Sequence, residues 1–160
     1  MQFDTFGVMI DMSRNAVMTV DALKRMMDAL AKMGYNMLML YTEDTYEVEG
    51  APYFGYMRGR YTKEELKEID AYGASLGIEV IPCMQTLAHM TAHVRWAKTP
   101  FDTADIMLVG DERTYDLIDR MFATFSECLK TRRIHIGMAR YALQRTASCT
   151  LPRLPEERHC

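Results

Sequence analysis

Four short, unbroken apolar runs set the strongest limit on what this chain can fold into. They are FGVMIDM (6–12), NMLMLYT (36–42), IEVIPCM (78–84) and IHIGM (134–138). None alternates apolar with polar along its length, so each reads as a strand covered on both faces, the pattern of a parallel sheet. The stretches between them carry helical spacing. From Thr19 to Met33, Val20, Leu23, Met27 and Leu30 recur every three or four residues, and Gly34 stands where a helix stops. TKEE at 62–65 reads as a capping box, Thr62 capping and Glu65 reaching back, and that helix closes before Gly77. A third helix is expected over 111–130, with Tyr115, Ile118, Met121, Phe122 and Phe125 as its apolar stripe. These stripes read as ordinary core filling.

Strands alternating with helices imply right-handed parallel crossovers, in either a doubly wound sheet or part of a (β/α)8 barrel. The stretch after the first strand, MIDMSRNAV, holds no glycine and therefore no phosphate-cradling loop, which weakens the doubly wound option. Between the second strand and second helix lies EDTYEVEGAPYFGYMRGRY, a long aromatic insertion of the kind from which a barrel builds a binding site. The expected fold is α/β: a partial (β/α)8 TIM barrel of about four parallel strands and three helices, plus an irregular C-terminal tail.

Composition narrows the function classes. The chain has 160 residues, 49% of them hydrophobic and 26% charged, which suits one domain with a real core. A net charge of −3 argues against nucleic acid as the main partner. The amino end has acids inside its apolar run and no basic stretch, unlike a signal peptide. No apolar run approaches the roughly 18 residues that span a bilayer. The plain expectation is a soluble, cytoplasmic chain with no membrane partner. Cys83, Cys128, Cys149 and Cys160 show neither Cys-x-x-Cys nor Cys–His metal spacing, so reduced thiols are expected, with no metal and no cofactor.

In either architecture ligands bind beyond the carboxyl ends of the strands. Asp11, Ser13 and Arg14 follow the first strand, Glu43 and Asp44 the second, Gln85 and His89 the third, and His135 lies within the fourth. Tyr46, Tyr53, Phe54, Tyr56 and Trp96 supply flat apolar surfaces in the loops. Carboxylates, an arginine, a histidine and aromatic platforms are the parts of a sugar site, since the guanidinium fork can hold two ring hydroxyls. Each part also has a plainer reading. Arg14 could simply pair with Asp11 or Glu43, EDTYEVE could be a solvated acidic loop, and His135 reads as a hydrogen-bonded barrel-interior residue rather than a catalyst.

GVMIDMSRNAV, the segment GYNMLMLYTEDTYEVEGAPYFGYMRGRYTKEELKEIDAYGASLGIEVIPCMQTLAH, and RRIHIGM together resemble the catalytic barrel of glycoside hydrolase family 20 over Phe6 to Met138. That family comprises the exo-acting β-N-acetylhexosaminidases, and the resemblance covers the first four of eight strands. It implies that Arg14 grips hydroxyls of the terminal N-acetylsugar and that Glu43 and His89 form a charged pair beside it; from their places at the strand ends, Asp11, Asp44 and His135 are expected to support them from behind. The implied partner is an N-acetylhexosamine-containing glycan. Gln85 replaces an acid of the family pattern, and Ala88 replaces a glycine.

The resemblance also implies a substrate-assisted mechanism, in which the acetamido oxygen attacks the anomeric carbon. An Asp orients that amide, and the adjacent Glu, with a raised pKa, protonates the leaving oxygen. The family pattern is His-x-Gly-x-Asp-Glu; here it reads His135-Ile136-Gly137-Met138-Ala139-Arg140. Both acids are absent, so no catalytic residue is assigned and hydrolysis is not expected. After Met138 the tail ARYALQRTASCTLPRLPEERHC carries four arginines and no lysine. The expected division is therefore 1–138 as half of a glycosidase barrel and 139–160 as an out-of-frame or disordered tail, with a genuine short terminus as the alternative. The abrupt start at strand one also reads as a shortened amino end. Two other readings stand beside these: a non-catalytic carbohydrate-binding module, and a half barrel that self-associates through its open strand edges.

Overall fold

A computed structural model describes residues 3–14, 17–95 and 101–138. Strand β1 (Gly7–Asp11), helix α1 (Val20–Lys32), strand β2 (Met37–Tyr41), helix α2 (Lys63–Ser75) and strand β3 (Glu79–Cys83) follow in turn. A short helix α3 (Thr91–Val94), an antiparallel pair β4 (Phe101–Thr103) and β5 (Ile106–Met107), and helix α4 (Glu112–Cys128) complete the order. The three long strands form one parallel sheet in the order β1-β2-β3, each crossing over through a helix. They run in strict register: Gly7 opposite Met37 opposite Glu79, and Asp11 opposite Tyr41 opposite Cys83.

The fourth apolar run joins this sheet more lightly than its sequence suggests. His135 makes a single parallel bridge to Cys83, with His135 N–H donating to Pro82 O and Met84 N–H to His135 O, both at 3.0 Å. The fold is thus a parallel sheet with flanking helices, like part of a TIM barrel, and among the described residues it is not closed into a ring.

The helix ends form where local chemistry places them. Thr19 caps α1 by accepting from Ala22 N–H, and Thr62 with Glu65 makes a reciprocal capping box on α2. Asp111 caps α4. The buried face of α4 corrects the expected stripe. Leu117, Met121, Phe125 and Cys128 are buried together with Thr114 and Thr124, whereas Tyr115 is 49% exposed and Ile118 and Phe122 are half-buried. The inward face lies one residue, about 100° of helical turn, from the Tyr115–Ile118–Phe122 line. Two threonines occupy inward positions, and Thr124 Oγ1 donates to Glu47 O at 3.1 Å.

The core lies between the outer face of the sheet and its helices. Leu38 and Leu40 of β2, Leu23 and Met27 of α1, Leu66 and Ile69 of α2, and Val80 of β3 are essentially inaccessible. Burying each such side chain contributes about 1.5–3 kcal/mol. The other face carries Met9, Met37, Met39 and Tyr41. It is incompletely covered: Met9 is 47% exposed. The expectation of strands buried on both faces therefore holds for β3, whose Ile81 and Cys83 are buried on this second face too, and not for β1 and β2.

Candidate functional site

The carboxyl ends of β1, β2 and β3 and the loops leaving them gather the polar residues. The chain turns sharply after β1, where Asp11 Oδ1 accepts from the Ser13 amide at 2.8 Å and the Ser13 hydroxyl at 2.6 Å. That turn projects Arg14 across the end of the sheet. Its Nη1 donates to Ser13 Oγ at 2.6 Å and pairs with Glu43 Oε1. Glu43 is 8% exposed at its side chain and Arg14 is 56% exposed. One end of the pair is embedded and the other faces solvent.

The β2–α2 insertion folds back onto the same place. Tyr46 and Tyr61 make a parallel bridge across its base, and Tyr46 and Phe54 bury their rings edge-on, 5.0 Å apart. Gly55, with φ +69°, lies so close to the Asp44 carbonyl that any side chain would collide with it. Arg58 then reaches inward. Its Nη1 sits 2.9 Å from Asp44 Oδ1 and 3.7 Å from Glu43 Oε2, and its Nη2 donates to the Ser13 carbonyl.

Ser13, Arg14, Glu43, Arg58, His89 and Asp105 are among the residues lining one cleft of about 390 Å³. Arg14, Glu43 and His89, expected to touch substrate, thus come together. His89 adopts φ +60°, a left-handed conformation rare for a residue with a Cβ and one that clusters at ligand sites.

Charge states follow from burial and neighbours. Burial works to raise the Asp11 carboxyl, but the two Ser13 hydrogen bonds and the nearby Arg14 and Arg58 charges outweigh it and hold it below the usual range. Asp44 goes the other way: burial outweighs the Arg58 charge and raises it. Burial, together with the Glu43 charge, raises the Tyr41 hydroxyl, which accepts from Gln85 Nε2 at 2.8 Å. Burial also raises the Cys83 thiol.

Asp11, Asp44 and His135 occupy distinct positions. Asp11 holds the turn that carries Arg14, and Asp44 anchors Arg58. His135 differs from the interior residue the sequence suggested. It is exposed, although its Nδ1 accepts from Gly137 N–H at 3.2 Å and lies 3.1 Å from Cys83 Sγ. Trp96, Ala139 and Arg140 lie outside the described residues. Cys83 and Cys128 are free thiols. Among the described residues no group of three or more His, Cys, Asp or Glu side chains is placed to hold a metal ion, and no helix is long and apolar enough to cross a membrane.

Arg58 is the residue that sequence reasoning missed. It stands before Gly59 in MRGRY, one of two arginines, with Arg60, in a largely acidic and aromatic insertion. A count of charges against EDTYEVE would have pointed to Arg58 and Arg60 alike as balancing partners, and Arg60 instead bonds the Phe54 carbonyl.

Comparison with known proteins gives a consistent picture. The model of the glycosyl hydrolase family 20 catalytic domain matches residues 3–149, a range that runs past Met138. A beta-hexosaminidase of Akkermansia muciniphila is 33% identical over 105 residues, covering 54% of this chain and 21% of that protein. A mutant Streptomyces plicatus beta-hexosaminidase solved in complex with product, GlcNAc, matches with a TM-score of 0.76 and 26% identity, over 84% of this chain and 32% of its own. An exo beta-N-acetylglucosaminidase from Vibrio harveyi, in complex with N-acetylglucosamine, matches with a TM-score of 0.71 over 84% of this chain and 27% of its own; at 17% identity that likeness speaks for the fold alone. The chain spans about a fifth to a third of these proteins.

Proposed function

Because this chain belongs to glycosyl hydrolase family 20, we propose that its cleft is the hydroxyl-gripping wall of a site for a terminal N-acetylhexosamine on a glycan. The observation that carries this reading is the setting of Arg14. Its Nη1 is fixed by Ser13 and the embedded Glu43, while the side chain as a whole stays 56% exposed. The N–H groups on Nε and Nη2 are then presented in a fixed fork that suits two neighbouring ring hydroxyls.

Cleavage is a separate matter. Ala139 and Arg140 stand where the family pattern has Asp and Glu. Alanine cannot orient an amide, and arginine keeps its proton at any physiological pH. Loss of a general acid alone costs about 10²- to 10⁴-fold in rate. The chain as it stands holds the sugar without hydrolysing it.

Titration of N-acetylglucosamine into the isotope-labelled chain, with turnover of a chromogenic N-acetylglucosaminide measured alongside, tests both parts. Saturable shifts that vanish in Arg14→Ala, with hydrolysis at buffer background, are the expected result. Binding indifferent to Arg14→Ala, or turnover well above background, refutes it.

The open face of the sheet favours a second reading, self-association. Met9 is 47% exposed beside the half-buried Met37 and Met39, and β1 is an edge strand. Methionines adapt readily to a partner surface, and free edges pair with other chains. Sedimentation decides it: a monomer mass that does not change with concentration sinks this reading.

A further inference from the structure

Three arginines, Arg14, Arg58 and Arg95, line the cleft, and Arg14 and Arg58 stand in unlike settings. Arg14 is 56% exposed at its side chain, whereas Arg58 is 18% exposed and all its recorded contacts are internal. We propose that Arg58 is the positioning residue for Arg14, holding the sugar-gripping guanidinium outward by fixing both of its anchors. This deepens the sugar-site reading and rests on it.

The contacts form a closed circuit. Arg58 Nη2 donates to the Ser13 carbonyl, and the Ser13 hydroxyl accepts from Arg14 Nη1 at 2.6 Å. On the other side Arg58 Nη1 lies 3.7 Å from Glu43 Oε2, and Glu43 Oε1 takes the same Arg14 nitrogen. Arg58 therefore contacts both residues that hold Arg14, Ser13 through its backbone carbonyl and Glu43 through its second carboxylate oxygen.

Electrostatics gives the circuit its purpose. Glu43 and Asp44 are adjacent in sequence and expose 8% and 2% of their side chains. Two carboxylates so embedded repel one another and need a cation that is itself out of water. Arg58 sits between them, 2.9 Å from Asp44. Without it the acid pair must draw on another cation, and Arg14 is already paired with Glu43. Arg14 would then fold down onto the acids instead of facing the cleft, and its hydroxyl grip would be lost with the protein still folded.

The long insertion is built to deliver this side chain. Met57, immediately before it, adopts φ +58°, a left-handed conformation uncommon for a long side chain, while its own side chain is 83% exposed. The strain at Met57 turns the next residue inward, and it is retained although Met57 itself packs on little.

The full chain, with arginine side chains labelled, supplies the test. The Arg14 Nε–H resonance, assigned by its loss in Arg14→Ala, is recorded in the wild type, Arg58→Lys and Arg58→Gln. N-acetylglucosamine is titrated into each. Arg58→Gln is expected to shift or broaden the Arg14 Nε–H signal before any sugar is added, with backbone amides of β2 and α1 unmoved. Arg58→Lys keeps a charge beside Asp44 but cannot bridge Ser13 and Glu43 together. Its sugar affinity is expected to fall about tenfold, within the range by which contacting residues couple. Wild-type Arg14 signals in Arg58→Gln, or wild-type affinity in Arg58→Lys, overturn the proposal. Failure of the wild type to bind N-acetylglucosamine removes the sugar reading alone, because the Arg14 resonance still decides the positioning role.

Discussion

Gly137→Ala is the substitution whose outcome the geometry fixes most tightly. Gly137 has φ +58°, and a Cβ there would lie 2.6 Å from Gln85 Oε1 and inside contact distance of the Met84 carbonyl oxygen. The left-handed conformation alone costs alanine about 1–2 kcal/mol, and collision with a backbone carbonyl in a strand end adds more, since that atom cannot swing aside. Against this stand the bonds that dock the 134–137 segment. His135 N–H donates to Pro82 O, Met84 N–H to His135 O and Thr86 Oγ1 to Ile136 O, each at 3.0 Å. At about 1 kcal/mol apiece they contribute about 3 kcal/mol. Strain alone takes up about a third to two thirds of that sum, and the collision is expected to remove the rest, so the segment is predicted to detach rather than distort β3.

The predicted signature is local. Amide exchange at Met84 and His135 should accelerate about 100-fold, the equivalent of about 3 kcal/mol, while Leu38 and Leu40 in the central strand keep their wild-type rates. Hydrogen exchange read by NMR gives all four rates in one experiment. Met84 exchanging at the wild-type rate in the alanine variant would refute the steric argument. Equal acceleration at Leu38 and Leu40 would show that the segment is integral to the sheet rather than docked on its edge.

Two further outcomes follow from named groups. His93 is buried beside Phe54, and burial above all pulls its pKa from 6.5 to about 4. The unfolded chain takes up this proton first, so the stability tied to a neutral His93 is whole above pH 6.5 and drains away as pH falls toward 4. The loss is on the order of 3 kcal/mol, and urea midpoints at pH 7 and 4.5 should converge in His93→Gln; a slope that survives in the variant assigns the effect elsewhere. Thr62→Ala removes the 3.1 Å bond from Glu65 N–H to Thr62 Oγ1 and leaves the 2.8 Å bond from Thr62 N–H to Glu65 Oε2. It should cost about 1 kcal/mol in urea unfolding, with Thr62→Ser retaining most of it, and an unchanged midpoint would show that α2 is held by packing alone.

The parts of this fold that are written locally were legible in the sequence. Thr62 and Glu65 meet because they are three residues apart, and the three strands appear because each is an apolar run of strand length. Features that depend on distant partners were not. The inward face of α4 was misplaced because Tyr115 and Phe122 look more like core than Thr114 and Thr124 do, and it is Glu47 that makes Thr124 at home inside. The β4–β5 pair is too short to show a period. His135 reads as interior from its isoleucine neighbours, yet Ile134 and Ile136 are themselves 38% and 40% exposed. That Arg14, Glu43 and His89 share one cleft was legible from their places after strands. Arg58 was not, because its position follows from the path of a long insertion that no local rule dictates.

That insertion has a consequence for how such a chain can diverge. Tyr46 and Phe54 are wholly inaccessible and Tyr61 nearly so, and its hydroxyl donates to the Met18 carbonyl at 2.5 Å. The same loop that delivers Arg58 to the cleft and Asp44 to its anchor beneath is therefore also a structural member of the interior. Most enzymes can vary specificity by swapping surface loops because the scaffold ignores the exchange. Here a change of loop length or path would unseat three aromatic rings from the interior along with two site residues. Drift at this cleft is channelled into single side chains, with the loop inherited as a block.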